Sequence, residues 1–442
     1  MGPRMNMQNR FSPQRRLTPW TVSLVLSVVF ALAARAADWP QYRGPSHEGK
    51  TTENPTPWPA SGPKVLWKVP TPTGFSSFTV SGGKAFTLVW RALDGADREV
   101  CLALDAVTGQ ELWATPVGIA KYQSGGDDGK SPNKGGDGPR STPSVAGNLV
   151  YVFNAQLRLA ALDAATGKEV WAKDLVKEFK GANIGWQNAA SPLIDGELVF
   201  VAGGGPGGSL LAFRAKDGAL AWKGGSEKIT HATPVTTTIA GVRQVIFFVQ
   251  SGLVAVAADS GKELWRYAFP YKVSTAASPV VGGDIVYCSA GYGVGSAAVQ
   301  VAKAGDTFTA TELWRLKGDQ PVANHWSTPI FHEGFLYGMF GFKEYSEGPL
   351  KCVELATGKV QWEQKGFGPG NAILAGNRLV ALSDTGELVL VEAKPTAYTE
   401  VARAKVLEGK CWSTPILSGG RVYARSTQEG VCLDVAGQSA AR

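Results

Sequence analysis

The sequence predicts an all-β protein, an eight-bladed β-propeller of four-stranded antiparallel blades. Three observations lead to this fold class. A phrase of four short segments recurs along the 442 residues, a tryptophan closes most copies of it, and a separate copy of the closing segment stands near the N-terminus. Units of four strands that repeat every 40 to 50 residues or so are typical of β-propellers.

The clearest copy of the repeat spans residues 141–171. It opens with Ser141-Thr142-Pro143, continues through two β-branched-rich segments, and closes at Trp171. The turn at residues 163–167 begins with an aspartate that can cap its own backbone and ends with a glycine suited to positive φ. Segments of this composition, bounded by turn residues, indicate strands.

The opening phrase occurs eight times, which predicts eight blades. The copies are Ser77-Phe78-Thr79-Val80, Ser141-Thr142-Pro143, Ala190-Ser191-Pro192, Ala232-Thr233-Pro234, Ala277-Ser278-Pro279, Ser327-Thr328-Pro329, Asn371-Ala372-Ile373 and Ser413-Thr414-Pro415. The closing tryptophans are Trp113, Trp171, Trp222, Trp265, Trp314 and Trp362, separated by 43 to 58 residues. We interpret the serines before the prolines as strand-entry residues. The only helical candidate outside the N-terminus is residues 174–180.

The two ends of the chain complete each other. The eighth repeat ends at residues 431–435 without a closing tryptophan segment, and residues 65–69 contain that missing segment around Trp67. We therefore expect the N-terminal strand to complete the C-terminal blade. Such pairing closes the ring and removes the exposed edges that an open array would leave.

Residues 1–36 have the features of a signal peptide. A basic start precedes an apolar run at residues 20–34, which is short for a membrane span, and Ala34-Arg35-Ala36 is a small-x-small cleavage site. We expect export, cleavage after Ala36, no lipid anchor, no transmembrane segment, and a periplasmic or secreted monomer. The remaining domains are a proline-rich extended leader at 37–64, packed along the ring by its aromatic residues, and the propeller at 65–442.

Charge and cysteine content exclude several function classes. The net charge is +7, but residues 1–36 hold five arginines and no acid, which leaves 39 basic and 37 acidic residues in the mature chain. That balance removes the electrostatic argument for nucleic acid. The five cysteines show no C-x-x-C and no metal-ligand spacing. We expect buried small hydrophobes, with Cys101, Cys352 and Cys432 at equivalent third-strand positions, and the pair Cys411–Cys432 is the one to test for a disulfide.

Two glycine-rich segments are interpreted as loops. Residues 118–139 form a Gly/Asp/Lys-rich insertion whose acids do not follow the EF-hand pattern, so we expect a surface loop. Residues 203–208 satisfy G-x-G-x-x-G, but residues 209–213 after them have the composition of a strand. Because a dinucleotide site needs a helix there, we interpret this stretch as a hairpin loop.

The recurring phrase resembles the quinoprotein-type (PQQ-like) β-propeller repeat, and four segments narrow the resemblance to its exported bacterial, BamB-like branch. They are Trp39-Pro40-Gln41-Tyr42-Arg43-Gly44-Pro45, Ser289-Ala290-Gly291-Tyr292-Gly293-Val294-Gly295, residues 386–393 and residues 407–415. The resemblance covers essentially the whole mature chain. It implies either a dehydrogenase of alcohols or sugars that uses pyrroloquinoline quinone, or a non-catalytic propeller such as that of the outer-membrane β-barrel assembly machine. The fold does not choose between these two activities.

Residues just before each innermost strand of a propeller converge near the axis, in a funnel. The funnel candidates for binding a ligand are Arg140, Trp186, Gln187, Asn188, His231, Asn324, His325, Trp326 and Trp412, and Asn183 and Lys410 share their position in the repeat. Polar groups beside flat aromatic faces suit a planar or sugar-like ligand. The alternative is that the tryptophans pack between blades and the histidines cap strand ends.

We expect a non-catalytic binding or scaffold module for a protein or glycan partner, without a cofactor or a metal. The enzymes of the resembled family hold calcium with a carboxylate and an amide, use an acidic base, and often stack the quinone on adjacent cysteines. This chain has no adjacent cysteines, no C-x-x-C-H, and no carboxylate at the funnel positions, with Asp137 the nearest and Asp319 a weaker candidate.

Two enzymatic alternatives remain open. The first is a dehydrogenase dependent on pyrroloquinoline quinone and Ca²⁺, with the cofactor in the axial funnel among Arg140, Asn188, His231, His325 and Trp326. The second is a carbohydrate-active enzyme, which would need a pair of funnel carboxylates about 5–10 Å apart.

Overall fold

The computed structural model describes residues 38–122, 138–272, 275–341 and 343–436. Within these ranges 33 strands form eight sheets, each built on four antiparallel strands. The remaining strand, at residues 50–51, adds to one of these sheets as a fifth, parallel strand. The predicted eight-bladed propeller is therefore confirmed. The predicted signal peptide, the central part of the 118–139 insertion and Asp137 lie outside the described residues. No helix in the described ranges is long and apolar enough to cross a membrane.

Two short strands precede the first blade, and blades 1 to 4 then follow in chain order. The first two strands are β1 (Lys50–Thr51) and β2 (Lys64–Pro70). Blade 1 contains β3 (Thr79–Ser81), β4 (Lys84–Leu93), β5 (Ala96–Asp105) and β6 (Glu111–Ile119); blade 2 contains β7 (Ser144–Ala146), β8 (Leu149–Phe153), β9 (Arg158–Asp163) and β10 (Glu169–Asp174). Blade 3 contains β11 (Leu193–Asp195), β12 (Leu198–Ala202), β13 (Leu210–Arg214) and β14 (Leu220–Gly224); blade 4 contains β15 (Val235–Ile239), β16 (Val242–Val249), β17 (Gly252–Ala257) and β18 (Glu263–Ala268).

Blades 5 to 8 repeat the same order from the innermost to the outermost strand. Blade 5 contains β19 (Val280–Gly282), β20 (Ile285–Ala290), β21 (Gly295–Ala304) and β22 (Thr307–Leu316); blade 6 contains β23 (Ile330–His332), β24 (Phe335–Met339), β25 (Leu350–Glu354) and β26 (Val360–Gln364). Blade 7 contains β27 (Asn371–Ala375), β28 (Arg378–Leu382), β29 (Glu387–Glu392) and β30 (Glu400–Lys405); blade 8 contains β31 (Ile416–Ser418), β32 (Arg421–Arg425) and β33 (Glu429–Asp434), completed by β2.

The ring is closed by the strand that the sequence predicts. Strand β2 pairs antiparallel with β33, which places Lys64 opposite Asp434 and Trp67 opposite Cys432. The first strand of the propeller thus completes its last blade.

Closing tryptophans join six of the eight blades to the next blade. Six of them donate a hydrogen bond from the indole Nε1 to a main-chain oxygen of the following blade: Trp67 to Ala106, Trp113 to Ala164, Trp171 to Ala215, Trp222 to Ala258, Trp314 to Leu355 and Trp362 to Lys394. Trp265 instead donates to Oε1 of Gln244 in its own blade. The indole is therefore both buried apolar surface and an interblade donor.

Each closing tryptophan lies opposite a small residue of the third strand. The partner of Trp171 is Ala161, and the partner of Trp362 is Cys352. Blade 7 has no closing tryptophan. There the small residue, Ala402, is on the outermost strand, and the larger residue, Leu390, lies opposite it on the third strand. This exchange keeps the volume between the two strands similar.

The cysteines follow this packing in part. Cys352 and Cys432 are the small residues beneath Trp362 and Trp67, as their equivalence in the sequence suggests. Cys101 is not equivalent to them, because Ala103 rather than Cys101 lies opposite Trp113. All five cysteines are buried and free, so Cys411 and Cys432 are not bridged.

Hydroxyl groups of the opening phrases form a belt around the axis. A main-chain N–H of one blade donates to the hydroxyl of a neighbour in five places: Thr414 to Ser77, Ser77 to Thr142, Thr142 to Ser191, Ser191 to Thr233, and Ser278 to Thr328. Blade 7 has no hydroxyl in its phrase, and its Asn371 donates to Trp412 O in blade 8 at 2.6 Å. The serines and threonines before the prolines therefore connect blades as well as starting strands.

The local predictions for the helix and the glycine-rich loop are also confirmed. The helix α1 (Leu175–Phe179) is capped by the Asp174 side chain, which accepts from the N–H of Lys177, and ends at Lys180 in the left-handed conformation. Residues 203–208 form the loop of the β12–β13 hairpin.

Candidate functional site

The loops before the innermost strands bring seven of the nine predicted site residues into one connected group. We call this group the funnel cluster: Arg140, Trp186, Gln187, His231, His325, Trp326 and Trp412. Arg140 Nη1 donates to Trp186 O at 2.9 Å, and the ring of His325 contacts that of Trp326 with 5.0 Å between centroids. The His231 ring is hydrogen-bonded to the main chain of Gln187 and interacts electrostatically with Arg140 and His325.

Stacked aromatic rings form the centre of the funnel cluster. The rings of Trp326 and Trp412 lie 4.8 Å apart at 24°. Tyr345 and Phe75 also stack on Trp412, with centroids at 5.8 and 5.3 Å. Offset stacking of this kind is a favourable arrangement of aromatic rings. Four rings from blades 1, 6 and 8 therefore pack on one another.

Both funnel histidines are buried and held neutral. Burial, followed by the nearby charges of Arg140 and His325, lowers the pKa of His231 to about 3. Burial, followed by the charge of Lys343, lowers the pKa of His325 to about 3. At neutral pH each imidazole can therefore both donate and accept a hydrogen bond.

Cationic side chains lie over aromatic faces around the cluster. The ammonium of Lys410 is 4.7 Å from the centroid of Trp412, and that of Lys343 is 5.0 Å from the centroid of Tyr292. The guanidinium of Arg140 is 5.8 Å from the centroid of Tyr122. These distances allow attraction between each cation and the ring beneath it.

The two predicted asparagines have structural contacts instead. Asn188 Nδ2 donates to the carbonyls of Phe153, Asn154 and Ala190, and its Oδ1 accepts from the N–H of Ala190. Asn324 is fully buried; its Nδ2 donates to Met339 O and its Oδ1 accepts from Tyr287. Their amide groups hold the funnel loops in place.

Two carboxyl groups beside the cluster were not found from the sequence. Asp384 lies in the β28–β29 turn, where its Oδ2 accepts from the N–H of Ser346 at 2.9 Å, and burial raises its pKa despite nearby Lys410. Glu99 on β5 is fully buried, accepts from Tyr122 at 2.6 Å and from the N–H of Ala155 at 3.1 Å, and burial raises its pKa as well. The turn that holds Asp384, between second and third strands, reaches the same face and was the missed signal for that residue.

Two aromatic side chains at the rim of the funnel are exposed on strained backbone. Trp186 is 43% exposed at φ 63°, and Tyr292 is 38% exposed at φ 61°. Aromatic residues seldom adopt positive φ, and such strain concentrates at functional sites. Asp319 supports Tyr292 indirectly, because its carboxylate accepts from the N–H of Gly293 at 2.9 Å.

The chain is similar to a family of known proteins. A family model described as outer membrane protein assembly factor BamB matches residues 96–337 and 346–440. This chain belongs to the BamB family. The BamB of Shewanella oneidensis is 26% identical over 268 residues, which is 58% of this chain and 64% of that protein. The match thus spans less than two thirds of the length of that relative.

Two solved structures share the fold of this BamB-family propeller. BamB from Moraxella catarrhalis aligns with a TM-score of 0.57 at 15% identity, covering 85% of this chain and 98% of that one. A quinohemoprotein alcohol dehydrogenase from Comamonas testosteroni aligns with a TM-score of 0.64 at 15% identity, covering 92% of this chain and 82% of that one. At these identities both likenesses show the fold alone.

The funnel of this BamB-family propeller does not fit a quinone held by calcium. Trp326 and Trp412 are in direct contact, so no slot for a flat ring lies between them. The amides of Asn188 and Asn324 are already hydrogen-bonded to the protein. Among the described residues, no group of three or more His, Cys, Asp or Glu side chains could hold a metal ion. We therefore derive no reaction step through pyrroloquinoline quinone.

Proposed function

We propose that this BamB-family propeller is a non-catalytic, periplasmic scaffold that binds a protein partner through the funnel face. The observation that carries the proposal is the pair of rim aromatics, Trp186 and Tyr292, each exposed on a positive-φ backbone. Tryptophan, tyrosine and arginine dominate the energetic centres of protein interfaces. Each rim aromatic is more than a third exposed, and a binding role explains both this exposure and the backbone cost.

The groups behind the rim support binding rather than catalysis. His231 and His325 are neutral at physiological pH, and the aromatic rings of the funnel cluster pack on one another. A rigid cluster of this kind holds the rim residues in a fixed arrangement, which lowers the entropy lost on association. Members of the family are named outer membrane protein assembly factors, and we propose a protein of that assembly process as the partner.

Photo-crosslinking in the native bacterial envelope tests this proposal. A photoreactive amino acid replaces Trp186 or Tyr292 on the rim, and in the controls it replaces Val170 or Leu220, which are 53% and 43% exposed on outermost strands. We expect both rim positions, and neither control position, to crosslink to the same outer-membrane assembly protein, identified by mass spectrometry.

Binding of that protein in purified form supplies the quantitative test. Because exposed aromatic anchors commonly contribute about 2 kcal/mol or more, Trp186→Ala should weaken binding by roughly 30-fold, whereas Val170→Ala should leave it unchanged. Equal losses in both variants would contradict a funnel-face interface. Binding of a purified glycan to the rim, with no protein crosslinked, would contradict the choice of a protein partner.

A further inference from the structure

The leader before the propeller contacts almost every blade. Residues 38–56 are bonded to seven of the eight blades, in the order of the chain: Trp39 to Val80 in blade 1, Pro40 to Val145 in blade 2, Gln41 to Ile194 in blade 3, Arg43 to Thr328 and Pro329 in blade 6, His47 to Thr236 in blade 4, Gly49 to Leu374 in blade 7, and Glu53 to Gly419 and Gly420 in blade 8. The sequence predicts a leader that packs along the ring through its aromatics, but most of these contacts involve polar groups.

The spacing of these contacts places the leader across the axis. Gln41 and Arg43 are two residues apart, a distance of at most about 7 Å along an extended chain. Yet Gln41 binds blade 3, and Arg43 binds blade 6. Two blades separate these on one side of the ring and four on the other. Only a chain close to the axis can reach both innermost strands within that length.

Arg43 is the centre of this arrangement. Its side chain is buried, and its guanidinium donates to Thr328 O and Pro329 O at 3.0 Å, and to His47 O and Glu48 O at 3.1 Å. Two acceptors belong to the ring and two to the leader. A buried guanidinium is costly unless its donors are satisfied, and these four carbonyl bonds use four of its five N–H groups. Arg43 thereby ties the leader to itself and to blade 6.

The innermost strands depend on the leader for hydrogen bonds. The N–H of Val80, Val145 and Leu374 donate to leader carbonyls at 2.9, 2.7 and 2.9 Å, and the N–H of Ile194 donates to Gln41 Oε1 at 3.0 Å. Gln41 Nε2 also donates to Ile194 O, so the amide group of one side chain makes both hydrogen bonds that a neighbouring strand would make to this residue. These four amides lie on the inner edges of their sheets, where among the described residues only the leader pairs with them, at β27 through its own strand β1.

We propose that residues 38–56 are an axial plug, a peptide folded into tight turns at residues 41–49 that the ring binds in cis and that closes the channel opposite the funnel. The plug touches the turns between first and second strands, at Gly82 and Gly420, whereas the funnel cluster precedes the first strands. In antiparallel blades these two positions lie on opposite faces. The funnel is therefore a blind pocket with a single entrance, whatever partner it binds.

The test cuts the plug from the ring in the folded mature protein. A protease recognition sequence replaces the exposed residues Ala60 and Ser61 in the linker before β2. After cleavage, native size-exclusion chromatography shows whether the plug stays bound, and hydrogen exchange measures the amides of Val80, Val145, Ile194 and Leu374. We expect the cut plug to remain bound and all four amides to stay protected.

Arg43→Met removes the four guanidinium bonds while keeping much of the side-chain volume. We expect the cut Arg43→Met protein to lose the plug, and its four inner-edge amides to exchange at least about 100-fold faster together, as a unit that opens locally. Arg158→Met is the control, because the guanidinium of Arg158 bonds the exposed carboxylate of Glu169, at 2.7 Å. It should behave like the wild type.

A second variant keeps the test decisive if Arg43→Met does not fold. Gln41→Ala removes the two bonds to Ile194 and should expose that amide selectively. The proposal is overturned if the four amides exchange rapidly in the intact wild type. It is also overturned if cleavage releases the leader while the four amides keep their protection.

Discussion

The indole Nε1 of Trp171 donates a 2.9 Å hydrogen bond to the main-chain oxygen of Ala215, in the next blade. The same bond is made by five other closing tryptophans, so the contact between neighbouring blades repeats around the ring. Each of these residues combines a buried or partly buried ring with an oriented donor, which makes the interface between blades specific as well as apolar.

Trp171→Ala should reduce the free energy of unfolding by about 3–5 kcal/mol, because it leaves a cavity between two blades and removes one of the two hydrogen bonds to the Ala215 carbonyl. Chemical denaturation of the variant and the wild type measures the difference. The control is Trp186→Ala, which removes a tryptophan that is 43% exposed and should cost well under about 1 kcal/mol. A loss for Trp171→Ala as small as that of the control would show that the closing strand does not carry the interface.

Gly218→Ala should be more damaging than Gly207→Ala, although both glycines have positive φ. A Cβ at Gly218 would lie 2.7 Å from the Trp171 ring, whereas a Cβ at Gly207 meets nothing within 4 Å. Backbone strain of about 1–2 kcal/mol applies to both variants, and overpacking adds about 1–3 kcal/mol only at Gly218. The comparison of unfolding free energies isolates the tryptophan contact. Equal losses would mean that strain alone accounts for both.

Thr142→Val tests the belt of hydroxyl groups around the axis. The substitution keeps the shape of the side chain but removes the acceptor for the buried N–H of Ser77, a bond of 3.0 Å. We expect a loss of about 1–3 kcal/mol, the cost of an unsatisfied buried donor. Thr309→Val, on the exposed face of β22, is the control and should be nearly neutral. If Thr142→Val leaves the free energy of unfolding unchanged, the belt of hydroxyl groups does not stabilise the ring.

The buried histidines predict a loss of stability in acid. The native pKa of His325 is about 3, below the value of about 6.5 in an unfolded chain, so the unfolded state binds more protons between these values. Stability should therefore fall as the pH drops below about 6.5, by up to about 1.4 kcal/mol per pH unit for this residue.

His325→Asn should flatten that dependence, because it removes the titrating imidazole. Asparagine can still accept from the N–H of Gly291, which lies 3.3 Å from His325 Nδ1, so the loop keeps this bond. Denaturant midpoints measured from pH 7 to pH 4 for the wild type and the variant give the comparison. Parallel curves for the two proteins would show that His325 is not held neutral in the native state.

The architecture was predictable because its signals are local. Each blade repeats turn glycines, β-branched strands and a closing tryptophan within about 50 residues, and Trp67 stood out as the missing copy. Local signals alone did not predict correctly which cysteines lie beneath a tryptophan. Cys101 and Cys352 looked equivalent, but a difference in strand register places only Cys352 beneath a tryptophan.

The candidate site was harder to predict because its contacts join distant parts of the chain. Equivalent positions in the repeat predicted which loops form the funnel. They could not show that the amides of Asn188 and Asn324 bond the main chain rather than face a ligand. Asp384 was missed because it lies in a turn between second and third strands. The bond from Gln41 to Ile194 spans 153 residues, a separation that no local pattern reports.

Calorimetric titration of the purified mature protein with pyrroloquinoline quinone, with and without Ca²⁺, tests most directly whether the funnel is a non-catalytic binding face. A dye-coupled screen of alcohol and sugar oxidation accompanies it. We expect no saturable heat and no dye reduction, because Trp326 and Trp412 are in contact and the funnel amides are bonded to the protein. Tight, calcium-dependent binding with turnover would contradict the scaffold function and make the funnel cluster a catalytic site.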